Sequence, residues 1–207
     1  MLKYLYTKQV FSEIPEEITL GISISGCQIH CKGCHSRDLW EDKGRQLTRV
    51  GLQNMIEENS GITCLLLLGG ERDIDTLINL FYFVSVNYPK IKTAWYCGLD
   101  MIPKGKEEIL QYLNFLKLGG YNKELGPLNV PTTNQKFYKI INGKAYDYTY
   151  LFWQHSNIEV WRDIDEFPQY QISNLGNVKS KRHPEHYLSI VKSGPRRNYY
   201  SAMFSVH

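Results

Sequence analysis

The sequence predicts an α/β fold, in which a parallel sheet with helical connections is followed by a small β-rich appendage at the carboxyl end. Two observations support this prediction. Apolar runs of strand length alternate with stretches of helical periodicity, and three of these runs end in glycine. Strands that alternate with helices imply a parallel sheet. Because four strand–helix units are too few to close an eight-stranded barrel, we expect a partial (β/α) barrel or an open sheet.

The predicted elements follow one another in the order β-α-β-α-β-α-β. The first strand, at 18–25, alternates apolar with small polar residues, and the mixed residues 1–16 lead into it. Thr48 is placed to cap a first helix that ends near Glu58. The later elements are a buried strand at 62–68, a helix at 73–86, a strand at 93–98, a short helix at 106–113 and a strand at 115–118.

Three cysteines stand directly after the first strand. Cys27, Cys31 and Cys34 form a C-x3-C-x2-C pattern, and thiolates spaced so closely can converge on one metal centre. A [4Fe-4S] cluster normally takes four cysteines, so three would leave one iron open to another ligand. The alternative is a zinc site with His30 or His35 as the fourth ligand, although nothing else in the sequence supplies a second zinc half-site.

A glycine-rich motif, Gly69-Gly70-Glu71, follows the second predicted strand. The two glycines allow the backbone to come close to a ligand, and the carboxylate of Glu71 offers an acceptor for an ammonium group. In parallel α/β folds, ligands bind at the carboxyl ends of the strands. The cysteines and this motif are therefore predicted to lie on the same edge of the sheet.

Together the two motifs resemble the radical S-adenosylmethionine (SAM) superfamily. Within it, the Cys-x-Gly-Cys form with a Leu-Trp pair at 39–40 is similar to the activase of anaerobic ribonucleotide reductase. The Gly-Pro-Leu at 126–128 and the Thr-Thr-Asn-Gln at 132–135 are similar to the closing segment of those activases. The resemblance covers about residues 1–153. It departs from the family pattern at Arg72, where many members have proline.

This resemblance implies a partial barrel of the radical SAM type, with a [4Fe-4S] cluster and SAM as cofactors. One electron from the reduced cluster would cleave SAM to methionine and a 5′-deoxyadenosyl radical, which would take a hydrogen atom from a glycine Cα of the reductase large subunit. An external electron donor is implied as well. Because the cofactors carry the chemistry, no catalytic acid–base residue is predicted. The implied site residues are Cys27, Cys31 and Cys34 for the cluster, Gly69, Gly70 and Glu71 for the amino group of SAM, and Gly33, Cys34 and His35 near the adenine.

Two residues of the closing segment, Asn134 and Gln135, receive no single role from the sequence. Capping of a loop and a contact with SAM or with the protein partner are both open for them. The family assignment has an alternative too, since another glycyl-radical enzyme could be the substrate of such an activase.

The sequence changes character from residue 158 onward. The patterns Trp161-x-x-Ile164 and Tyr170-x-Ile-Ser-Asn-x-Gly-x-Val-x-Ser180 resemble a DNA-binding module attached to HNH homing endonucleases. We therefore expect residues 158–207 to be a truncated copy of that module, without the nuclease, joined to an activase domain at 1–153. The alternative function is that of a DNA-binding fragment with an inactive activase passenger.

Basic residues with interleaved tyrosines in this module are candidates for phosphate contacts. A solvated basic surface without affinity for nucleic acid is the alternative. From Lys179 onward a single acid, Glu185, stands against the basic residues Lys179, Lys181, Arg182, Lys192, Arg196 and Arg197, and the tyrosines are Tyr187, Tyr199 and Tyr200.

Composition limits the class of protein and its location. With 207 residues, 43% of them hydrophobic, and a net charge of +3, the chain is typical of globular proteins, and its charge indicates no particular partner. No apolar run approaches the roughly 18 residues of a membrane helix, and the N-terminus lacks a secretory signal. Three of the five cysteines stand at metal spacing, which argues against a disulfide framework. Cys64 and Cys97 are predicted as core residues. We expect a cytoplasmic protein with no membrane contact.

Overall fold

The structure, a computed structural model, describes residues 1–153, 159, 161–164, 167–173, 176–184, 188, 190–193 and 199–202, and in the last two ranges only the backbone. The chain divides into two compact units. The first contains Met1–Leu128 and Thr132–Leu151, and the second contains Asn129–Pro131 and the chain from Phe152 onward.

The first unit is built on an eight-stranded mixed sheet. Its strands are β1 (Lys3–Val10), β2 (Thr19–Ile24), β3 (Arg45–Gln46), β4 (Cys64–Leu68), β5 (Lys92–Tyr96), β6 (Phe115–Leu118), β7 (Lys136–Ile141) and β8 (Lys144–Asp147). Their spatial order is β3-β1-β2-β4-β5-β6-β7-β8. The four neighbours β2, β4, β5 and β6 run parallel. The outer strands on both sides are antiparallel to their neighbours.

The parallel strands form the centre of the hydrophobic core. Leu65, Leu66 and Leu67 of β4 are all fully buried, so side chains that point to opposite faces of the sheet are both covered. Helix α1 (Arg49–Glu58) follows β3 and leads into β4, and helix α2 (Ile74–Asn87) connects β4 to β5. Thr48 caps α1, since its hydroxyl accepts a hydrogen bond from the Gly51 amide at 3.0 Å. Shorter 3-10 helices lie at Arg37–Leu39, Glu71–Asp73, Glu107–Tyr112 and Thr149–Trp153.

The four predicted parallel strands, both longer helices and the mixed α/β class are confirmed. The short helix predicted at 106–113 is present as a 3-10 helix, Glu107–Tyr112, whose tighter turns suit a brief connection. Residues 1–16 are more than a lead-in to the sheet, since they contain β1. The middle of β1 is exposed and contains polar residues, so its sequence lacks the apolar pattern that predicts a buried strand. The β7–β8 hairpin was not predicted either.

The second unit is β-rich, as predicted. Strands β9 (Trp161–Ile164), β10 (Phe167–Ser173) and β11 (Val178–Ser180) form an antiparallel sheet in the order β11-β10-β9. Strands β12 (Ile190–Ser193) and β13 (Tyr199–Ala202) pair antiparallel. Of the turn predicted at 173–176, Asn174 and Leu175 lie outside the described residues. Its ends are closed by a hydrogen bond from the Gly176 amide to the Ser173 carbonyl, at 3.0 Å.

Within the described part of the chain, no helix is both long enough and apolar enough to cross a membrane.

Candidate metal centre

The three clustered cysteines lie on a segment that we call the cysteine loop, residues 26–44, between β2 and β3. Because β2 and β4 are parallel neighbours, with Ser23 opposite Leu68, the loop and the Gly69-Gly70-Glu71 motif leave the sheet at the same edge. The structure thus brings both predicted motifs to the carboxyl ends of adjacent strands. Ligands of parallel α/β proteins bind at this edge.

Backbone hydrogen bonds join the two ends of the cysteine loop. The Gly26 amide donates to the Glu41 carbonyl at 3.1 Å, and the Cys27 amide donates to the Leu39 carbonyl at 3.0 Å. In the body of the loop, the His30 ring stacks on Trp40 with centroids 4.5 Å apart. The loop therefore closes on itself instead of hanging from one strand end.

All five cysteines lie in the described part of the chain and carry free thiols, and those of the loop are half-buried. Burial raises the pKa of the Cys27 thiol, and hydrogen bonds from the amides of Ile29 and His30 oppose that shift. The Ser36 amide donates to the Cys34 sulfur at 3.3 Å. Amides directed at sulfur are the surroundings that cluster-binding thiolates use, because they stabilise negative charge on sulfur.

The three thiols of the loop are not grouped around a single metal ion. Among the residues that the structure describes, no three His, Cys, Asp or Glu side chains form a group that could hold a metal ion as they stand. The donor chemistry does fit an iron–sulfur cluster, since three soft sulfur ligands share one short loop with amides directed at two of them.

Glycines at the ends of β5 and β6 form a surface under the cysteine loop, which we call the glycine shelf: Gly98, Gly119 and Gly120. A Cβ added at Gly98 would lie 2.7 Å from Ile29 Cγ1, and one at Gly120 would lie 3.1 Å from the Cys31 sulfur. Side chains at Gly98 and Gly120 would therefore displace the loop. The absence of side chains lets Ile29 and Cys31 approach the edge of the sheet.

The Gly69-Gly70-Glu71 motif has the backbone geometry that its glycines allow. Gly69 and Gly70 have φ of 91° and 92°, in the left-handed region that glycine adopts easily. The Glu71 carboxylate accepts a hydrogen bond from the Gly98 amide at 2.5 Å, so it is oriented by the shelf. A carboxylate can accept more than one hydrogen bond, and Glu71 keeps capacity for a ligand ammonium group.

Gly33 and His35, two of the three residues predicted near the adenine, lie on another side of the loop. The His35 ring is 6.1 Å from the Tyr121 ring, and a Cβ at Gly33 would lie 3.5 Å from Tyr121 and from Lys123. The structure therefore places Gly33 and His35 toward the segment after β6, whereas Cys31 faces the glycine shelf.

One buried cation at this edge was missed by sequence reasoning. Lys117 of β6 is buried and donates to the Gly119 carbonyl at 2.6 Å. Burial lowers the pKa of Lys117, and the nearby acidic groups Cys31 and Glu71 oppose that shift. A lysine inside the apolar strand Phe-Leu-Lys-Leu, directly before two glycines, is the signal that could have indicated it.

The amides of the closing segment hold the glycine shelf in place. Asn134 donates from its side chain to the Gly120 carbonyl at 2.9 Å, and Gln135 donates to the Gly119 carbonyl at 3.3 Å. These hydrogen bonds support the capping interpretation of both residues. The other two cysteines are core residues, as predicted, since Cys64 and Cys97 are fully buried. Burial raises the pKa of Cys97 to about 12, and that of Cys64 further.

In the second unit, Lys179 and Lys181 have an aromatic and an acidic neighbour, respectively. The Lys179 ammonium lies 4.0 Å from the centroid of the Trp161 ring, and Lys181 forms an ion pair of 2.7 Å with Asp163. Arg182 is exposed. The predicted contacts of Tyr187, Arg196 and Arg197 lie outside the described residues, and for Lys192, Tyr199 and Tyr200 only the backbone is described.

Two family models match the chain. The model of the 4Fe-4S single cluster domain matches residues 18–141, which is more than half of the chain and includes the cysteine loop and the glycine shelf. The NUMOD4 motif matches residues 159–205. No curated protein and no solved structure matches the chain significantly. The first match supports an iron–sulfur cofactor at the cysteine loop.

Proposed function

The chain belongs to the 4Fe-4S single cluster domain family, and from this we propose that residues 1–153 form a radical SAM enzyme. One observation carries the proposal: the C-x3-C-x2-C loop and Gly69-Gly70-Glu71 leave adjacent parallel strands at the same edge of the sheet. The proposed fold is a partial (β/α) barrel of the radical SAM type, built around the four parallel strands. The free thiols support a cytoplasmic location, where thiols stay reduced.

The residues at this edge of the sheet would bind two cofactors, the cluster and SAM. Cys27, Cys31 and Cys34 would hold the cluster by three irons, and the amides directed at Cys27 and Cys34 would stabilise charge on sulfur. Glu71, oriented by the Gly98 amide, would accept the ammonium group of SAM. When bound, the reduced cluster supplies the electron that cleaves the sulfonium bond of SAM.

Two further assignments concern the adenine and the fold of the site. Gly33 and His35 would line the adenine side of the loop, together with Cys34. The glycine shelf would keep the cysteine loop close to the sheet, which limits access of water to the reacting groups.

The substrate that we propose is the large subunit of an anaerobic ribonucleotide reductase, on which the enzyme would generate a glycyl radical. The support is the resemblance of Cys-x-Gly-Cys, of the Leu-Trp pair at 39–40 and of the segment at 126–135 to activases of that class. An external protein would donate the electron. The activase of another glycyl-radical enzyme is the second possibility within the same chemistry.

The first experiment is anaerobic reconstitution with iron and sulfide, followed by reduction with dithionite and a chromatographic assay for 5′-deoxyadenosine. We expect about four iron per chain and SAM cleavage in the wild type. Cys31→Ala should abolish both, and Cys64→Ala, which removes a core thiol outside the loop, should keep both. Zinc in place of iron, or a loaded protein that leaves SAM intact, would refute the proposal.

The substrate is tested with the loaded, reduced enzyme, SAM and a purified anaerobic reductase large subunit. A glycyl radical detected by electron paramagnetic resonance, absent with Cys31→Ala, is the expected result. SAM cleavage without that radical would leave the radical SAM chemistry standing and redirect the search to other glycyl-radical enzymes.

A second candidate function rests on the NUMOD4 match at 159–205. We propose that residues 158–207 are a DNA-binding module of the kind joined to homing endonucleases. Fluorescence anisotropy with a labelled duplex should then show affinity that falls steeply with salt, because phosphate contacts release counterions. Lys179→Ala should weaken binding at low salt. If the anisotropy does not rise with protein concentration at any salt concentration, the module does not bind duplex DNA and the proposal is refuted.

A further inference from the structure

Arg72 connects the two motifs of the proposed site. It follows Glu71 in the 3-10 helix Glu71–Asp73, and its Nη2 atom lies 2.7 Å from Oδ1 of Asp42 in the cysteine loop. The Arg72 side chain is only 21% exposed. Lys3 of β1 lies on the other side of Asp42, with its ammonium 3.4 Å from Oδ2 and 3.2 Å from the backbone carbonyl. Asp42 is therefore held between the Gly-Gly-Glu segment and β1.

The same guanidinium contacts the beginning of the cysteine loop. A Cβ added at Gly26 would lie 2.8 Å from the Cζ and Nη1 atoms of Arg72, so the guanidinium occupies the space that a side chain would need. Gly26 has φ of 75°, precedes Cys27, and donates its amide hydrogen to the Glu41 carbonyl. One side chain thus contacts both ends of the loop.

The opposite charges of Arg72 and Asp42 each stabilise the ionised form of the other group. Hydrogen bonding to Asp42 raises the pKa of Arg72, and hydrogen bonding from Arg72 lowers the pKa of Asp42. Both groups therefore stay ionised through the physiological range. Arginine suits this position better than lysine, because its flat guanidinium can lie against the Gly26 backbone while one nitrogen bonds the carboxylate.

We propose that Arg72 is a positioning residue that fixes the cysteine loop relative to the Gly69–Glu71 segment. It would set the separation between the cluster and SAM without contacting either. The inference rests on the proposed function for its SAM part, whereas the loop part concerns contacts within the chain alone.

The loop part is tested on the full-length protein without cofactors by hydrogen exchange, with fragmentation that separates the Gly26 and Cys27 amides. Loss of this partly exposed ion pair should loosen both ends of the loop, so Arg72→Gln and Asp42→Asn should speed exchange of both amides about two- to fivefold. Arg49→Gln, which removes an arginine charge on α1, is the matched control and should change neither. Exchange rates equal to the wild type in both pair variants would overturn the inference.

The SAM part is tested on the cluster-loaded protein by equilibrium binding of SAM. Iron content should stay at the wild-type value in Arg72→Gln, while the dissociation constant for SAM rises about two- to fivefold. The double variant Arg72→Gln/Asp42→Asn should bind no more weakly than either single one, because the two residues act as one pair. Arg72→Lys keeps the charge but not the planar group, so its dissociation constant for SAM should lie between those of the wild type and Arg72→Gln.

The two proposals fail in distinguishable ways. A wild-type protein that loads a cluster but binds no SAM would refute the radical SAM function and leave the exchange experiment to decide the loop part. Faster exchange with unchanged SAM affinity in the variants would overturn the positioning role. So would a fall in iron content equal to the fall in affinity, since that would indicate general damage to the loop.

Discussion

Replacement of Gly98 by alanine is expected to displace the cysteine loop from the glycine shelf. The new Cβ would lie 2.7 Å from Ile29 Cγ1, whereas carbon atoms in contact prefer about 3.5–4.0 Å. Ile29 therefore has to move by about 1 Å. Because Ile29 lies between Cys27 and Cys31 in the chain, this movement carries both thiols with it. Overpacking of this kind typically costs about 1–3 kcal/mol of folding free energy.

Two measurements on the full-length protein test this prediction. Urea unfolding before reconstitution should show a loss of about 1–3 kcal/mol for Gly98→Ala, and iron content after reconstitution should fall. Gly21→Ala in β2 is the matched control, because its nearest new contact, with Leu68 Cδ1, is an ordinary 3.5 Å. That variant should load iron like the wild type.

A double-mutant cycle decides whether the contact itself is the cause. Ile29→Ala removes the Cγ1 atom, so in the Gly98→Ala background it should recover part of the lost stability, with a coupling energy of about 1 kcal/mol or more. If the two substitutions add instead, the overlap with Ile29 is not what destabilises Gly98→Ala, and the reasoning from the shelf fails.

Three more outcomes are expected. Cys31→Ala should reduce iron from about four per chain to less than one, measured by ferrozine, with Cys64→Ala unchanged. For Asp73, partial burial works to raise the pKa, but hydrogen bonds from the N-terminal ammonium and Thr76 outweigh it and hold the pKa below the ordinary value. The stabilisation from Asp73 is therefore present above about pH 3.9 and lost as pH falls through the lower folded pKa. The variant Asp73→Asn can still cap α2. It should flatten the acid limb of a plot of thermal midpoint against pH and cost about 0.5–1 kcal/mol of folding free energy at pH 7. Gln135→Ala removes the buried amide that donates to the Gly119 carbonyl and should cost about 1–2 kcal/mol in urea unfolding.

The parts of the fold that sequence predicts well are those with a local cause. The apolar run at 62–68 predicts β4 because a strand covered on both faces needs apolar side chains throughout. Thr48 predicts the start of α1 because capping depends on a residue three positions away. By contrast, β1 and β8 are antiparallel additions with many exposed residues, and their mixed or polar sequences carry no comparable signal.

The candidate site divides in the same way. Cysteine spacing and two adjacent glycines are local patterns, and the edge they share follows from parallel strand order. The contact of Ile29 with Gly98, and the ion pair of Arg72 with Asp42, join residues far apart in sequence. Such pairings depend on the packed structure, so a single sequence contains the residues but not the information that they meet.

The outermost strands of the large sheet have a consequence for handling the protein. β3 has two residues, Arg45 and Gln46, and β8 runs from Lys144 to Asp147 with every residue exposed. Short, charged edges resist edge-to-edge pairing between copies, so native sheets are protected from fibril growth. A more aggregation-prone segment is the Cys-Leu-Leu-Leu-Leu run of β4, which is apolar throughout and has no charge. Precipitation during refolding should therefore begin from chains in which β4 has not yet paired with β2 and β5.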